Sequence, residues 1–284
     1  MNRPYMRIEE LIDEIYFNQE AGIMKTSNPV LKDDIFASAG SFAPGQVMTV
    51  QGTTNKCFIL LGLLMASAVW IWNMAMPQAV PVGLESMTIQ MNGNLSRIMP
   101  FLIGGGIGGL ILALVTVFKK EWAGLTAPAY AVCEGLVLGG LSAIFELRFP
   151  GIVMQAVSLT FATLFCLLIA YKTQIIRVTE KFRLGVFVAT AAIGLVYLVS
   201  FILGFFHIQV PFMVGSGLVS IGFSLFVVGI AALNLVLDFD FIDRGAEAGA
   251  PKYMEWYGAF GLMVTLVWLY IEILQLLSKL RGRD

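Results

Sequence analysis

Three acids lie in apolar surroundings with no base beside them. Glu134 sits inside the run Pro128-Ala-Tyr-Ala-Val-Cys-Glu-Gly-Leu-Val-Leu-Gly-Gly-Leu, and Glu272 inside Trp268-Leu-Tyr-Ile-Glu-Ile-Leu. Asp238 closes a long apolar run at Leu235-Val-Leu-Asp-Phe-Asp. No Lys, Arg or His falls within the interior of a strongly hydrophobic stretch. An ionised carboxylate is very costly in hydrocarbon, so each of these groups must be protonated, hydrated or facing a cation. The chemistry on offer is the handling of protons or metal cations.

The three acids differ in setting. Glu134 lies near the middle of its apolar run, with Tyr130 and Leu138 one turn to either side. Two roles fit it: a protonated carboxyl bonded to a neighbouring helix, or a titrating, ion-facing group, the usual meaning of an intramembrane acid. Glu272 stands nearer the end of its run, from which it could reach the interface. Asn234 and Asp238 are four residues apart and share one helical face, while Asp240 and Asp243 share another. Acids at a helix C-terminus oppose the helix dipole and invite a cation. The spacing lacks the glycine and terminal bidentate Glu of a calcium-binding hand. A solvated acidic helix end suits Asp240 and Asp243, which leaves Asp238 to face a helix bundle.

Other chemistry is poorly supplied. The single histidine, His207, excludes a multi-histidine metal site. Ser158, Thr160, Thr163, Thr190, Ser220, Ser224 and Thr265 have no His or Lys nearby in sequence and read as packing or capping groups. No nucleophile–base pair emerges, so an intramembrane hydrolase is not expected, and neither is a bound cofactor. Cys57, Cys133 and Cys166 are widely spaced and read as small buried residues. Trp70, Trp72, Trp122, Tyr171, Tyr253, Trp256 and Tyr257 fall near the ends of apolar runs, where interfacial anchors belong.

The elements that must position these acids are membrane spans. Of 284 residues, 58% are hydrophobic and 13% charged, about half the charge of an ordinary soluble domain. Seven stretches reach the roughly 20 apolar residues a helical crossing needs: 57–76, 98–118, 125–145, 150–171, 185–206, 212–237 and 256–278. The expectation is an all-α polytopic bundle over 56–278, preceded by a tail over 1–55. Gly104 to Gly109, Gly135, Gly139 and Gly140 put small residues where helices can approach closely. Lys119, Lys120, Lys172, Arg177, Lys181, Arg183, Arg244 and Lys252 fall on even-numbered loops and predict a cytoplasmic N-terminus. The basic ending Lys279-Leu-Arg-Gly-Arg-Asp prefers the inside, against the odd number of crossings.

In the tail, Ile8, Leu11, Ile12 and Ile15 form one face of a helix with Glu9, Glu10, Asp13 and Glu14 opposite. That helix docks on the protein's own cytoplasmic face or binds a membrane protein partner. No h-region precedes it, so no cleavable signal is expected. A net charge of -1 without a basic recognition segment gives no sign of nucleic acid.

Three segments carry a resemblance: Ala127-Pro-Ala-Tyr-Ala-Val-Cys-Glu-Gly-Leu-Val-Leu-Gly-Gly-Leu-Ser, Leu233-Asn-Leu-Val-Leu-Asp-Phe-Asp-Phe-Ile, and the stretch from Tyr253 to Leu274. Together they resemble the Bax inhibitor-1 family in its bacterial long form with an extended N-terminal tail, over roughly residues 55–278. The resemblance implies a bundle with the seventh helix central, in a bacterial plasma membrane. It also implies a pH-sensitive calcium leak, controlled in some members by hydrogen-bonded aspartates on the sixth and seventh helices. Asp238 matches the first of that pair. The register of the second falls on Thr265, where this chain has no carboxylate; the nearest acid is Glu272, seven residues on and about 10 Å further along a helix. A second reading, carried over from other relatives, is a non-transporting regulator of a membrane protease or another membrane protein.

Overall fold

The computed structural model describes residues 46–76, 84–206, 215 and 217–282, and for 84–95 the backbone alone. The tail helix expected over 8–15 and the histidine at 207 lie outside the described residues. The described chain is helical: α1 Val50–Ala75, α2 Leu84–Phe118, α3 Ala123–Arg148, α4 Ile152–Lys172, α5 Glu180–Phe205, α6 Leu218–Glu247 and α7 Met254–Arg281. A single turn of 3-10 helix, Lys120–Trp122, joins α2 to α3. Even the shortest, α4 with 21 residues, exceeds the roughly 30 Å hydrocarbon core at about 1.5 Å per residue. All seven are long and apolar enough to cross a membrane.

The helices run past the apolar stretches because hydropathy marks where hydrocarbon ends, not where a helix must. α6 starts at Leu218 rather than 212 and continues to Glu247. α2 begins at Leu84, well ahead of its apolar run. Starts are set by local chemistry. The Thr49 hydroxyl accepts from the Gly52 amide at 2.9 Å, and Thr179 caps α5 by accepting from Phe182 at 3.2 Å. At the start of α4, the Glu146 carboxylate accepts from the Val153 amide at 3.1 Å, placing an anion at a helix N-terminus.

Contacts between loops fix the sides. Val47 bridges Pro251, and the Met48 amide donates to Ala250. Lys172, the last residue of α4, meets Asp243, near the end of α6, at 3.3 Å. These ends share one face, called here the N-terminal face. At the other end of α7, Arg281 donates to the carbonyl of Pro150 at 2.7 Å, in the α3–α4 connection. The seventh helix therefore runs from one face of the bundle to the other, and Arg281 is held on the opposite face by backbone carbonyls and Gln155.

α7 is the central element. Two-thirds (67%) of its apolar window is buried, against 11% for α5. α6, α1, α4 and α3 all pack on it. α2 lies outboard on α3 and α1. Glycines set the approach of α1 to α3: a Cβ at Gly135 would run into Ser67 and the carbonyl of Leu64, and one at Gly139 into the backbone of Ala68. Tyr257, expected at an interface, is 1% exposed instead. Its helix starts beneath α1, so the first turn of α7 is already inside the protein.

That first turn holds a fastening. Glu255 is 0% exposed, and its carboxylate accepts from the Thr49 amide at 3.0 Å and the Thr49 hydroxyl at 2.9 Å. It also pairs with Lys56 and, at 3.0 Å, with Lys252. A Cβ at Gly52 would collide with the same carboxylate. Replacing Glu255 by Gln leaves Lys56 without its counter-ion, an expected loss of about 3 kcal/mol. The exposed Lys172–Asp243 pair, cut by Asp243→Asn, should lose less than about 1 kcal/mol. Unfolding midpoints in micelles check this, and equal shifts for the two variants would contradict it.

Candidate functional site

The α6–α7 pair carries two of the three acids into the interior. Asp238 is 0% exposed and Glu272 2%. Each stands nine residues before the end of its helix, Glu247 for α6 and Arg281 for α7. Since the two helices are antiparallel, Asp238 lies toward the N-terminal face and Glu272 toward the opposite face. Leu235, Phe239 and Ile242 beside Asp238 belong to the same core cluster as Leu262 and Leu266 beside Thr265. Cys57 of α1 is near enough to Asp238 to feel its charge. Thr265 is buried, and its hydroxyl donates to the Gly261 carbonyl of its own helix at 3.3 Å.

Glu272 is the better defined of the pair. Its Oε1 accepts from the Tyr197 hydroxyl of α5 at 2.7 Å and from the indole N–H of Trp268 at 3.1 Å. Its Oε2 is buried and has no hydrogen-bond partner among the described residues. The helix end does not let this acid escape to the interface, because Tyr197 and Trp268 hold it inward. Two turns further on, Lys279 is close enough to interact with its charge. Lys279 donates to the Ser224 hydroxyl of α6 at 2.7 Å. Ser224 thus has a lysine partner that its sequence neighbourhood does not show. At 2% exposed, its hydroxyl is enclosed by helices, and the contact ties α6 to α7.

Asn234 and Asp240 support the pair from α6. Asn234 donates to the Thr190 hydroxyl at 2.8 Å and to the Ile230 carbonyl at 2.9 Å, joining α6 to α5. Asp240 departs from the solvated helix end expected of it: Arg183 of α5 reaches it at 2.9 Å and Arg244 at 3.1 Å. Arg183 is itself 3% exposed and also takes Glu180 at 3.0 Å. Asp243 does sit at the surface with Lys172.

Glu134 belongs elsewhere. It lies midway along α3, half-buried, one turn beyond Tyr130 on its own helix. A Cβ added to Gly109 of α2 would lie 3.5 Å from its carboxylate. It therefore faces the α2–α3 groove. Being at the middle of a span does not make it the most enclosed acid, because α3 is covered on fewer sides than α7.

Sequence reasoning missed Tyr197, Lys279, Arg183 and Glu255. Lys279 had a signal, being two turns from Glu272 on one face of α7. Tyr197 and Arg183 had none, since their partners are far away in the chain. Among the described residues no group of three His, Cys, Asp or Glu side chains converges.

Seven membrane-length helices, the last of them enclosed by its neighbours and carrying buried carboxyls, define an integral membrane protein. The family described as Bax inhibitor 1 like matches residues 28–282, and the chain belongs to it. Neither a search of curated proteins nor one of solved structures gave a match.

The hydrogen bond that holds Glu272 inward is open to test. Tyr197→Phe and Glu272→Gln together should destabilise less than the sum of the two alone, by about 1–2 kcal/mol. Thermal unfolding of the four proteins in one detergent measures that coupling; strict additivity would show that the contact contributes nothing.

Proposed function

We propose that this protein is a non-enzymatic, pH-sensitive leak pathway for cations, with calcium as the permeant ion, and that Asp238 and Glu272 mark its route along the α6–α7 seam. The observation that carries the proposal is Glu272: a buried carboxyl on the central helix with one oxygen held by Tyr197 and Trp268 and the other without a hydrogen-bond partner among the described residues. A group so placed in a membrane interior is expensive unless it exchanges protons or meets a cation. Family membership supports the same reading. The basic connections on the N-terminal face agree with a cytoplasmic N-terminus in a bacterial plasma membrane.

Positive groups guard both ends of the seam. Arg183 and Arg244 close on Asp240 at one end, and Lys279, two turns beyond Glu272 and bonded to Ser224, stands at the other. Like charges repel an entering cation, so under this proposal the described arrangement is the closed one. Opening requires Arg183 or Lys279 to move aside. Protonating Asp238 or Glu272 removes the charge a cation needs, so flux falls as pH falls. With Thr265 in place of an acid, Asp238 and Glu272 cannot share one proton across a direct bond, and each titrates in its own surroundings. Glu134, in the α2–α3 groove, stands off this route.

Calcium flux from liposomes of purified protein is the test. Asp238→Asn and Glu272→Gln should each lower flux at neutral pH by roughly tenfold, or about 1.4 kcal/mol, and flatten its pH dependence. Lys279→Gln should raise flux, while Glu134→Gln should leave it closer to the parent. Flux no greater than that of empty vesicles would falsify the leak itself. An effect of Glu134→Gln alone would move the route to the α2–α3 groove.

A further inference from the structure

A cavity of about 430 Å³ opens sideways between α1, α3, α4 and α7. Its walls are apolar, with Leu64, Trp72, Leu138, Val157 and Leu266 among them. Its mouth carries side chains that face away from the protein: Met65 is 45% exposed, Val69 50% and Met154 72%. Met65 and Val69 stand well inside α1, and Met154 points outward from the first turn of α4, so along α1 the mouth opens onto hydrocarbon.

Position fixes the leaflet. The α3 and α4 residues that line the cavity run from Leu138 to Glu146 and from Val153 to Phe161, on either side of the connection to which Arg281 is tied. The cavity therefore belongs to the half of the bilayer away from the N-terminal face. Its few polar groups are occupied. Ser142 and Tyr270 are bonded to each other at 2.6 Å. Glu146 accepts from the Gly151 and Val153 amides at the start of α4.

We infer that this cavity is a lipid site, filled by an acyl chain of a phospholipid from the leaflet opposite the N-terminal face. Three arguments select that occupant. Water needs two to four polar partners to stay in a buried site, and these walls are almost wholly apolar. An unfilled void costs free energy in proportion to its volume, and this one falls within the roughly 300–1,000 Å³ of small-molecule sites. The mouth opens onto hydrocarbon, where the chains of membrane phospholipid are the surrounding solvent. A chain in the cavity touches Leu266, Val267 and Tyr270 of α7, between Thr265 and Glu272. Membrane composition thereby acquires a contact with the central helix. The site does not depend on whether the α6–α7 seam conducts.

Photolabelling reads this directly. The full-length protein is reconstituted in vesicles of phosphatidylcholine bearing a diazirine near the middle of one acyl chain, irradiated and mapped by mass spectrometry. Met65, Met154 and Val157 should be labelled several-fold more than Leu198 and Phe201, which face lipid on α5. Val157→Trp narrows the cavity and should lower labelling there toward the α5 level. Met154→Trp obstructs only the mouth, at a lipid-facing position, and gives the same readout if the first variant folds poorly. Even labelling over α1, α4 and α5 overturns the inference. So does enrichment obtained with a diazirine fatty acid or detergent but not with the phospholipid.

Discussion

A polar group on α7 has nowhere to go but into the protein, because α1, α3, α4 and α6 enclose the helix and α5 reaches it through Tyr197. The rest of the structure depends on that enclosure. A lipid-facing helix can send a charged side chain toward the interface, as the exposed ends of the outer helices do. The enclosed one cannot. Glu255, Thr265, Glu272 and Lys279 must each find partners from other helices or from the backbone, and those partners are what bind the bundle together. Thr49 and Lys56 of α1 converge on Glu255, Tyr197 of α5 on Glu272, and Ser224 of α6 on Lys279.

These contacts place rigidity and latitude differently along the seam. On the N-terminal face, Glu255 is satisfied on both oxygens by two cations and a helix cap, with Gly52 leaving room for nothing larger. Toward the opposite face, Glu272 is held on one oxygen only, and Lys279 rests on a neutral hydroxyl. A fully satisfied buried network specifies one arrangement; a partly satisfied one admits a second state at lower cost. Under the proposed leak, movement of α7 would be easier at the Glu272 end, with the Glu255 end, fastened to α1, as its fixed point. The apolar cavity flanks the same stretch of α7 from the lipid side.

Much of the fold was legible from the chain. Seven apolar stretches became seven helices, since hydrocarbon demands that every backbone polar group be satisfied within its own segment. The glycines at 135 and 139 marked a close helix approach, and the structure seats the backbone of α1 against them. Helix ends were less legible: α6 runs on to Glu247 with Asp240 neutralised by Arg244 of its own helix and by Arg183, and the Arg183 pairing depends on a helix distant in sequence. Tyr257 looked like an interfacial anchor for the same reason, its cover being supplied by α1.

The acids show where the division falls. Residue type and apolar neighbours alone determined that Glu134, Asp238 and Glu272 lie in spans and that an ionised form would be unstable there without a partner. Those are properties of a segment and its solvent. Which acid is enclosed, and by what, is a property of how segments pack. Only the tertiary structure decided that Glu272 is held by Tyr197 and flanked by Lys279, that Asp238 is shut into the core, and that Glu134 lies off in the α2–α3 groove. Periodicity gives the face of a helix on which a residue sits; it carries no information on which helix that face meets.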